Sequence, residues 1–418
     1  MQSVTEAAQR ISAAFAPLST ERVPLRAAMG RVLVDAIRSP ITLPHWTNSA
    51  MDGYAVRAAD VRGATDDAPI TLPVHETVAA GTFPSRALQP GEAARVMTGA
   101  PVPEGADSVI RVEDTDGGVA HVRILHDRDA GKNLRQRGED LREGEIALPA
   151  GMPIGAAQIG ILASIGQRDV AVHRRPRVVI LGSGDELVSI DRFDEVRAGR
   201  RIVSSNAYTI AAMVEATGGE AIDLGHCEDT LPAMRALLER AVALAPDLIV
   251  TTAGVSVGEF DHTRAALEAM GAHLDFWKVR MRPGAPLGFG HLGATPWIGL
   301  PGNPVSAMVT CELFVRPVVR RMLGYTRIHR QPVRVRLEEP VTIQARLTHF
   351  LRAIVTPRAD GGLSARLTGP QGSSILTSMS LANALLIVPD DRTTVAAGES
   401  LSAFLLSDAA GMGEAFTL

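Results

Sequence analysis

The chain opens "MQSVTEAAQRISAAFAPLSTERV", where charged and apolar residues alternate at helical spacing and predict an amphipathic helix. A mixed stretch, "RVLVDAIRSP", then ends at Pro40. From 41 to 140 the texture changes to short β-branched runs broken by turns, as in "APVPEGADSVIRVED", "DTDGGVAHVRIL" and "RQRGEDLREGEIALPAG". That pattern predicts a small, mostly β module. Around 152–172 a helical apolar run leads into "QRDVAVHRRP", a short strand closed by a basic linker and Pro176.

After Pro176 strands and helices alternate. "RVVIL" reads as a buried strand stopping at "GSGDEL". "SSNAYTIAAMVEATGG" reads as a helix with cap candidates Ser204, Ser205 and Asn206 that ends at Gly218. "EAIDLG" is a strand, "LPAMRALLERAVAL" a helix and "DLIVTTAG" a third strand. The helix "HTRAALEAMG", an extended "AHLDFWKVRMRPG", the strand "TPWIGL" and a long helix from about Asn303 to Leu323 complete the unit. Such alternation predicts a mainly parallel sheet covered by helices on both faces. The last ninety or so residues return to β texture in "PVRVRLEEPVTI", "THFLRAIVTP", "GLSARLTG" and "NALLIVP", which predicts a small barrel or sandwich.

Composition adds limits. A chain of 418 residues exceeds one ordinary core, and 46% hydrophobic against 4% aromatic residues makes the cores aliphatic. A net charge of −4 gives no overall electrostatic reason to bind nucleic acid or an anionic membrane. The most apolar window, "GMPIGAAQIGILASIG", is shorter than the roughly 20 residues of a spanning helix. The N-terminus lacks the pattern of a secretion signal, so a cytoplasmic location is expected. Cys227 and Cys311 stand outside any metal-ligand or redox spacing and read as packing residues.

Candidate chemistry gathers at three glycine turns, each after a predicted strand and before a helix: "LGSGDEL", "TAGVSVGEFDHT" and "GLPGNPVSA". In an open α/β sheet such turns bring backbone N–H groups and helix N-termini to an anion. Their candidate binding residues are Gly182, Ser183 and Gly184; Gly254, Ser256 and Gly258; and Pro301, Gly302, Asn303 and Pro304. No GxxxxGK[ST] occurs and "GSGDEL" lacks the third glycine of a dinucleotide fingerprint, which disfavours P-loop and NAD enzymes. Acids accompany the turns instead: Asp185 and Glu186, Glu228 and Asp229, Glu259 and Asp261. Beside a phosphate they suit a bridging Mg²⁺, although an acid at a helix N-terminus is also favoured on its own by about 0.3–1 kcal/mol. Lys278, Arg280 and Arg282 alternate, so one strand would turn all three to one side as a basic wall or a solvated face. The scattered histidines, His262 and His349 among them, receive no role.

Six motifs in chain order, "NSAMDGYAVR", "RVMTGAPVPEGAD", "NLRQRGEDLREGE", "GDEL", "GVSVGEFDHT" and "GLPGNPVSA", resemble the molybdopterin molybdenumtransferases, the family that includes the catalytic domain of gephyrin. The resemblance implies a multidomain α/β and β protein whose central, mainly parallel α/β domain is MogA-like, flanked by small β domains and a C-terminal β barrel. The layout would be an elongated linker domain from 1–40 and 141–175, a small β domain at 41–140, the molybdopterin-binding domain at 176–328 and the barrel at 329–418. It implies a homodimer whose cleft lies between the second domain of one protomer and the third and fourth of the other. The implied substrates are molybdopterin-adenylate and molybdate, with Mg²⁺ assisting release of AMP.

Carried over by position, Asp52, Thr98 and Asp140 would line the second-domain side, and Glu186, Asp229 and Asp261 the cation side. Lys278, Arg282, Pro301 and Pro304 would belong to the pocket, and Arg352 and Ser373 to the fourth domain. A molybdopterin adenylyltransferase and molybdoenzyme acceptors are the implied partners. Two positions depart from the family. Phe-Asp-Asn is common where this chain has Trp46, Thr47 and Asn48, and "KPGKP" is common where it has "RPGAP" with Ala285. Tungstate therefore stays open as an oxyanion. A non-catalytic pterin carrier and a molybdopterin adenylyltransferase stay open as alternative functions.

Overall fold

The computed structural model describes residues 1–253, 262–344 and 346–408. The chain forms two compact units, one of residues 1–34, 151–156 and 169–418, the other of 35–150 and 157–168.

The smaller unit is built on a five-stranded sheet in the order Ser108–Arg111, Gly53–Val56, Ala93–Val96, Ile70–Val78 and His121–Ile124. Gly53–Val56 is buried along its whole length, and Tyr54, Val56, Ile110, Val122 and Ile124 form one core around it. The Asp-Gly pair that precedes this strand could be read as a hairpin turn, but the glycine serves close approach. A Cβ on Gly53 would lie 2.0 Å from the Ile110 carbonyl oxygen, so only glycine lets the two backbones meet there.

In the larger unit the helix Val4–Ala13 starts with a reciprocal capping box between Ser3 and Glu6 and buries Ala7 and Ile11 in the core of the α/β sheet. That sheet has six strands in the order Glu220–Cys227, Arg177–Ser183, Leu248–Thr252, Thr295–Leu300, Pro286–Leu292 and His273–Lys278. The first four are mutually parallel, Pro286–Leu292 is antiparallel to both its neighbours, and His273–Lys278 therefore runs in the same direction as the first four. Pro286–Leu292 is the strand that periodicity did not reveal, since glycines at 288 and 290 interrupt its apolar run. Both are forced by packing: a Cβ on Gly288 would meet the Trp297 ring at 2.3 Å, and one on Gly290 the His273 carbonyl at 2.2 Å. The helix expected from Asn303 is Pro304–Thr310, continued by a π-turn at Cys311–Val315 and the helix Arg316–Met322.

The C-terminal region is a barrel. Thr348–Pro357, Leu363–Leu367, Val333–Leu337, Ser400–Leu405 and Ala384–Val388 pair in that order, and the last pairs back onto the first. Arg352 lies in the middle of the Thr348–Pro357 strand. Closure removes the exposed edges that an open sheet of this length would carry. The short strand Met281–Arg282 adds outside it, against Thr348 and His349.

One sequence expectation fails here. Lys278, Arg280 and Arg282 do not share a strand face, because the strand ends at Lys278 and a new one begins at Met281. The Arg280 amide instead bonds the Gln2 carbonyl and its guanidinium pairs with Asp390 at 3.0 Å. Lys278 is exposed beside Met1, Gln2 and Trp277, whereas Arg282 lines a cavity against the barrel. Alternation counts sides only while one strand continues.

Candidate active site

Parallel strands end where the chain must turn into a helix, and at a switch point two neighbouring strands send their connections in opposite directions. Arg177–Ser183 and Leu248–Thr252 are such a pair: the first connects outward to Glu220–Cys227, the second toward Thr295–Leu300. A cavity of about 560 Å³ opens over their carboxyl ends, lined by Ser183, Glu186, Thr252, Ala253, Pro301 and Gly302. Ser204, Ser205, Asn206, Asn303 and Pro304 also line it, and these begin the helices Ser205–Thr217 and Pro304–Thr310. Neither helix has a side-chain cap, but Pro304 carries no N–H and the Val305 amide donates to the Ser373 carbonyl at 3.1 Å, so it is the first turn of Ser205–Thr217 that keeps N-terminal N–H donors for an anion.

The backbone is shaped for close approach. Ala253 has φ +76°, a left-handed conformation that costs a non-glycine residue energy, at the strand end that floors the cavity. Gly184 has φ +149°, and a Cβ there would strike the Glu186 carboxylate at 2.6 Å. Asn206 donates its Nδ2 to the Gly302 carbonyl at 2.7 Å, while its buried Oδ1 is without a partner. Sequence reading offered Asn206 only as a helix cap, although a polar residue opening a helix after a glycine turn is the signal that could have marked it.

The acids on this side lie close together. The Asp229 amide donates to Asp185 Oδ1 at 3.0 Å. Burial raises the Asp229 carboxyl above its ordinary range and the charges of Asp185 and Glu186 add to that, against His262 and the Ser183 hydroxyl. Among the described residues no group of three His, Cys, Asp or Glu side chains is arranged to hold a metal ion. Asp261, Gly254, Ser256 and Gly258 lie outside the described residues.

A second cavity, of about 490 Å³, lies against the barrel and shares Pro286 and Asn303 with the first. Arg282, Ala285, His349, Arg352 and Ser373 line it. Arg352 is 0% exposed, with Nε donating to Ser378 Oγ at 3.0 Å and Nη2 to the Gly372 carbonyl at 2.9 Å. Its Nη1 is buried with no partner, and no carboxylate neutralises it among the described residues. Desolvation pulls its pKa down to about 10. A guanidinium so buried is costly unless an anion completes it. His349, paired in register with Arg282, is likewise pushed down by burial and by that charge.

In the smaller unit, the turn at 47–52 is held on several sides. Ser49 accepts from the Met51 amide, Thr47 accepts from the Arg137 amide, and Asn48 pairs with Arg135. Asp52 and Thr98 meet: the Thr98 amide and hydroxyl donate to Asp52 Oδ1 at 2.6 and 2.7 Å. Those bonds, the hydroxyl's foremost, hold the Asp52 carboxyl below its ordinary range. Asp140 makes no hydrogen bond to either residue; its amide bonds the Leu43 carbonyl. The two thiols are inert by environment. Burial pushes Cys227 up to about 11 and Cys311 higher still.

The chain is similar to known proteins over nearly its whole length. Three family models match: MoeA N-terminal region (domain I and II) over residues 2–166, probable molybdopterin binding domain over 179–321, and MoeA C-terminal region (domain IV) over 334–406. Molybdopterin molybdenumtransferase 2 of Mycobacterium tuberculosis is 38% identical, covering 97% of this chain and 100% of its own. Molybdopterin molybdenumtransferase of a Nostoc species is 37% identical over 91% of this chain and 88% of its own. The crystal structure of the molybdopterin biosynthesis MoeA protein from Pyrococcus horikoshii OT3 superposes with a TM-score of 0.82 at 28% identity, covering 97% and 100% of the two chains.

Proposed function

This chain belongs to the MoeA family of molybdopterin molybdenumtransferases, and from that premise we propose that it inserts molybdate into adenylated molybdopterin with release of AMP, using the two adjoining cavities of its larger unit. The single observation that carries this use of the cavities is Arg352: a fully buried guanidinium, with one nitrogen unpartnered, at a cavity that adjoins the strand-end cavity through Asn303. Molybdate is a tetrahedral dianion, which suits that donor together with Arg282 and Ser373. The strand-end cavity then takes the adenylated pterin, whose phosphates suit the uncapped N-terminus of Ser205–Thr217 and the turn at Gly182, Ser183 and Gly184. Pro301 and Pro304 hold the third turn, with Gly302 leaving room beside Ala253.

Metal insertion requires the diphosphate link to AMP to break, and negative charge builds on its oxygens. Glu186 and Asp229, with Asp261, would hold Mg²⁺, and the mutual repulsion of Asp185, Glu186 and Asp229 is the kind of field a cation relieves. A bound Mg²⁺ would supply neutralisation of the phosphate charge. The sulfurs that finally hold molybdenum belong to the pterin, so two inert cysteines are no obstacle. Asp52, Thr98 and Asp140 complete the reading as polar groups for the reacting ligands, and Lys278 as a more distant cation. A homodimer, a cytoplasmic location, and exchange with a molybdopterin adenylyltransferase and molybdoenzyme acceptors complete it. No helix among the described residues is long and apolar enough to cross a membrane.

The test is direct. Purified protein given molybdopterin-adenylate, Mg²⁺ and molybdate should release AMP stoichiometrically with metal-loaded cofactor. Tight binding of the adenylate without any AMP would replace the transferase by a carrier.

A further inference from the structure

We propose that the larger unit holds a second oxyanion site, in a cavity where Arg316, Arg320, Arg327 and Arg330 converge, and that it takes a doubly charged tetrahedral oxyanion of the phosphate, sulfate or molybdate type. The cavity measures about 310 Å³ and lies between the helix Arg316–Met322, the connection after it and the first barrel strand. It shares no lining residue with the two cavities described above.

Charge is the first argument. Among the described residues, four guanidiniums meet a single acting carboxylate, Glu312, which is buried and accepts from Arg330 Nε at 2.6 Å while Arg316 stands 3.6 Å away. The Arg327 side chain is in no hydrogen bond or ion pair among the described residues. The imbalance is visible in the half-buried arginines themselves. Burial holds Arg316 and Arg320 below the ordinary guanidinium range, and repulsion from Arg330 adds to it, against Glu312 and Tyr325. Burial also lowers His329, with Arg316 contributing. Arginine does not shed its proton in proteins, so the excess is relieved by an incoming anion rather than by neutralisation.

Geometry is the second argument. Arg320 lies over the Tyr325 ring at 3.8 Å and donates Nε and Nη2 to the Arg327 carbonyl at 3.3 and 3.1 Å. Arg330 is fixed between Glu312 and the Leu406 carbonyl. Two of the four donors are therefore held in place before any ligand arrives, which lowers the entropy cost of capture. Nε and Nη2 of both are engaged with protein acceptors, so a tetrahedral oxyanion would be met by their Nη1 groups and by the guanidinium forks of Arg316 and Arg327.

Calorimetric titration of the full chain tests this in the Arg352→Met background, so that the molybdate site proposed above stays silent, and the arginine variants below separate the new site from any phosphate taken by the strand-end cavity. Molybdate, phosphate and sulfate are titrated at constant ionic strength with chloride as the control anion. One dianion should bind at near one per chain, and Arg316→Gln with Arg327→Gln together should weaken it at least tenfold. Arg327→Gln alone, a change at an exposed position, should weaken it severalfold in a normally folded protein. Preference for molybdate would identify the occupant as the substrate oxyanion, and preference for phosphate as a phosphoryl ligand. Dianions binding no better than chloride, or unchanged affinity in the Arg316→Gln, Arg327→Gln protein, would overturn the site.

Discussion

Thr98 grips a single oxygen of Asp52 twice, with its amide at 2.6 Å and its hydroxyl at 2.7 Å. Both bonds favour the ionised carboxylate, so the Asp52 pKa lies below its ordinary value in the folded protein. Depression of an acid's folded pKa gives stability that is present above the unfolded pKa and lost as pH falls through the folded one. Thr98→Val removes the hydroxyl while keeping the amide. NMR titration of Asp52 should then show its pKa rising toward that of a free aspartate. An Asp52 titration unchanged by Thr98→Val would remove the hydroxyl from the account.

Arg352 yields a prediction in which stability and function separate. Replacing an uncompensated buried charge with an apolar side chain of similar volume is often neutral or stabilising. Arg352→Met should therefore melt at or above the wild-type temperature while molybdate no longer raises it. Wild-type protein at a hundred times its dissociation constant should gain about 2.7 kcal/mol from the ligand. An equal molybdate shift in both proteins would take Arg352 out of the oxyanion site.

Alanine at Gly184 should displace the exposed Glu186 side chain, an effect that a nearby control can isolate. Alanine there would place Cβ 2.6 Å from the Glu186 carboxylate at a φ of +149°. Gly225 has φ +77° with nothing within 4 Å of a Cβ, so alanine at 225 carries backbone strain alone. Strain of this kind costs about 1–3 kcal/mol. Both variants should melt lower, but only Gly184→Ala should cut AMP release, by at least about tenfold if one well-placed group is lost. Equal activity in the two would detach Glu186 from the chemistry.

Much of this arrangement was legible in the sequence because it is local. Glycine turns after apolar runs marked the strand ends at 183, 252 and 300, and the return to β texture after Pro332 marked the barrel. What stayed hidden depends on partners distant in the chain. Gly53 is required by Ile110, fifty-seven positions away, and Pro286–Leu292 is a strand whose glycines answer to Trp297 and His273. The Lys278, Arg280 and Arg282 row dissolved because pairing with Thr348 and His349 starts a new strand at Met281. Arg352 was marked only by the family resemblance, since nothing in its local pattern sets it apart from any strand arginine. Its meaning comes from burial on the outer face of its strand, opposite Leu351 and Ala353 in the barrel core, beneath Gly372 and Ser378, and no local pattern reports that cover.

Ala285 tests whether the cavity against the barrel is tuned by charge. The family resemblance implies a lysine at this position, as in "KPGKP", and here the half-buried Ala285 lines the same cavity as Arg282 and Arg352. Its neighbour Gly284 is fixed, since a Cβ there would strike Thr310 Cγ2 at 2.5 Å, so the loop presents residue 285 in a defined direction. Ala285→Lys adds a cation at the rim of a site that already holds an unneutralised guanidinium. Two consequences of opposite sign follow. Without ligand the added repulsion should lower the melting temperature slightly, by an amount that shrinks with salt. With molybdate the new charge should improve binding by about 1 kcal/mol, roughly fivefold. Titration at low and high ionic strength measures both, and the gain should fade as salt rises. A lysine that leaves molybdate affinity unchanged at low salt would mean that the oxyanion does not sit within reach of residue 285.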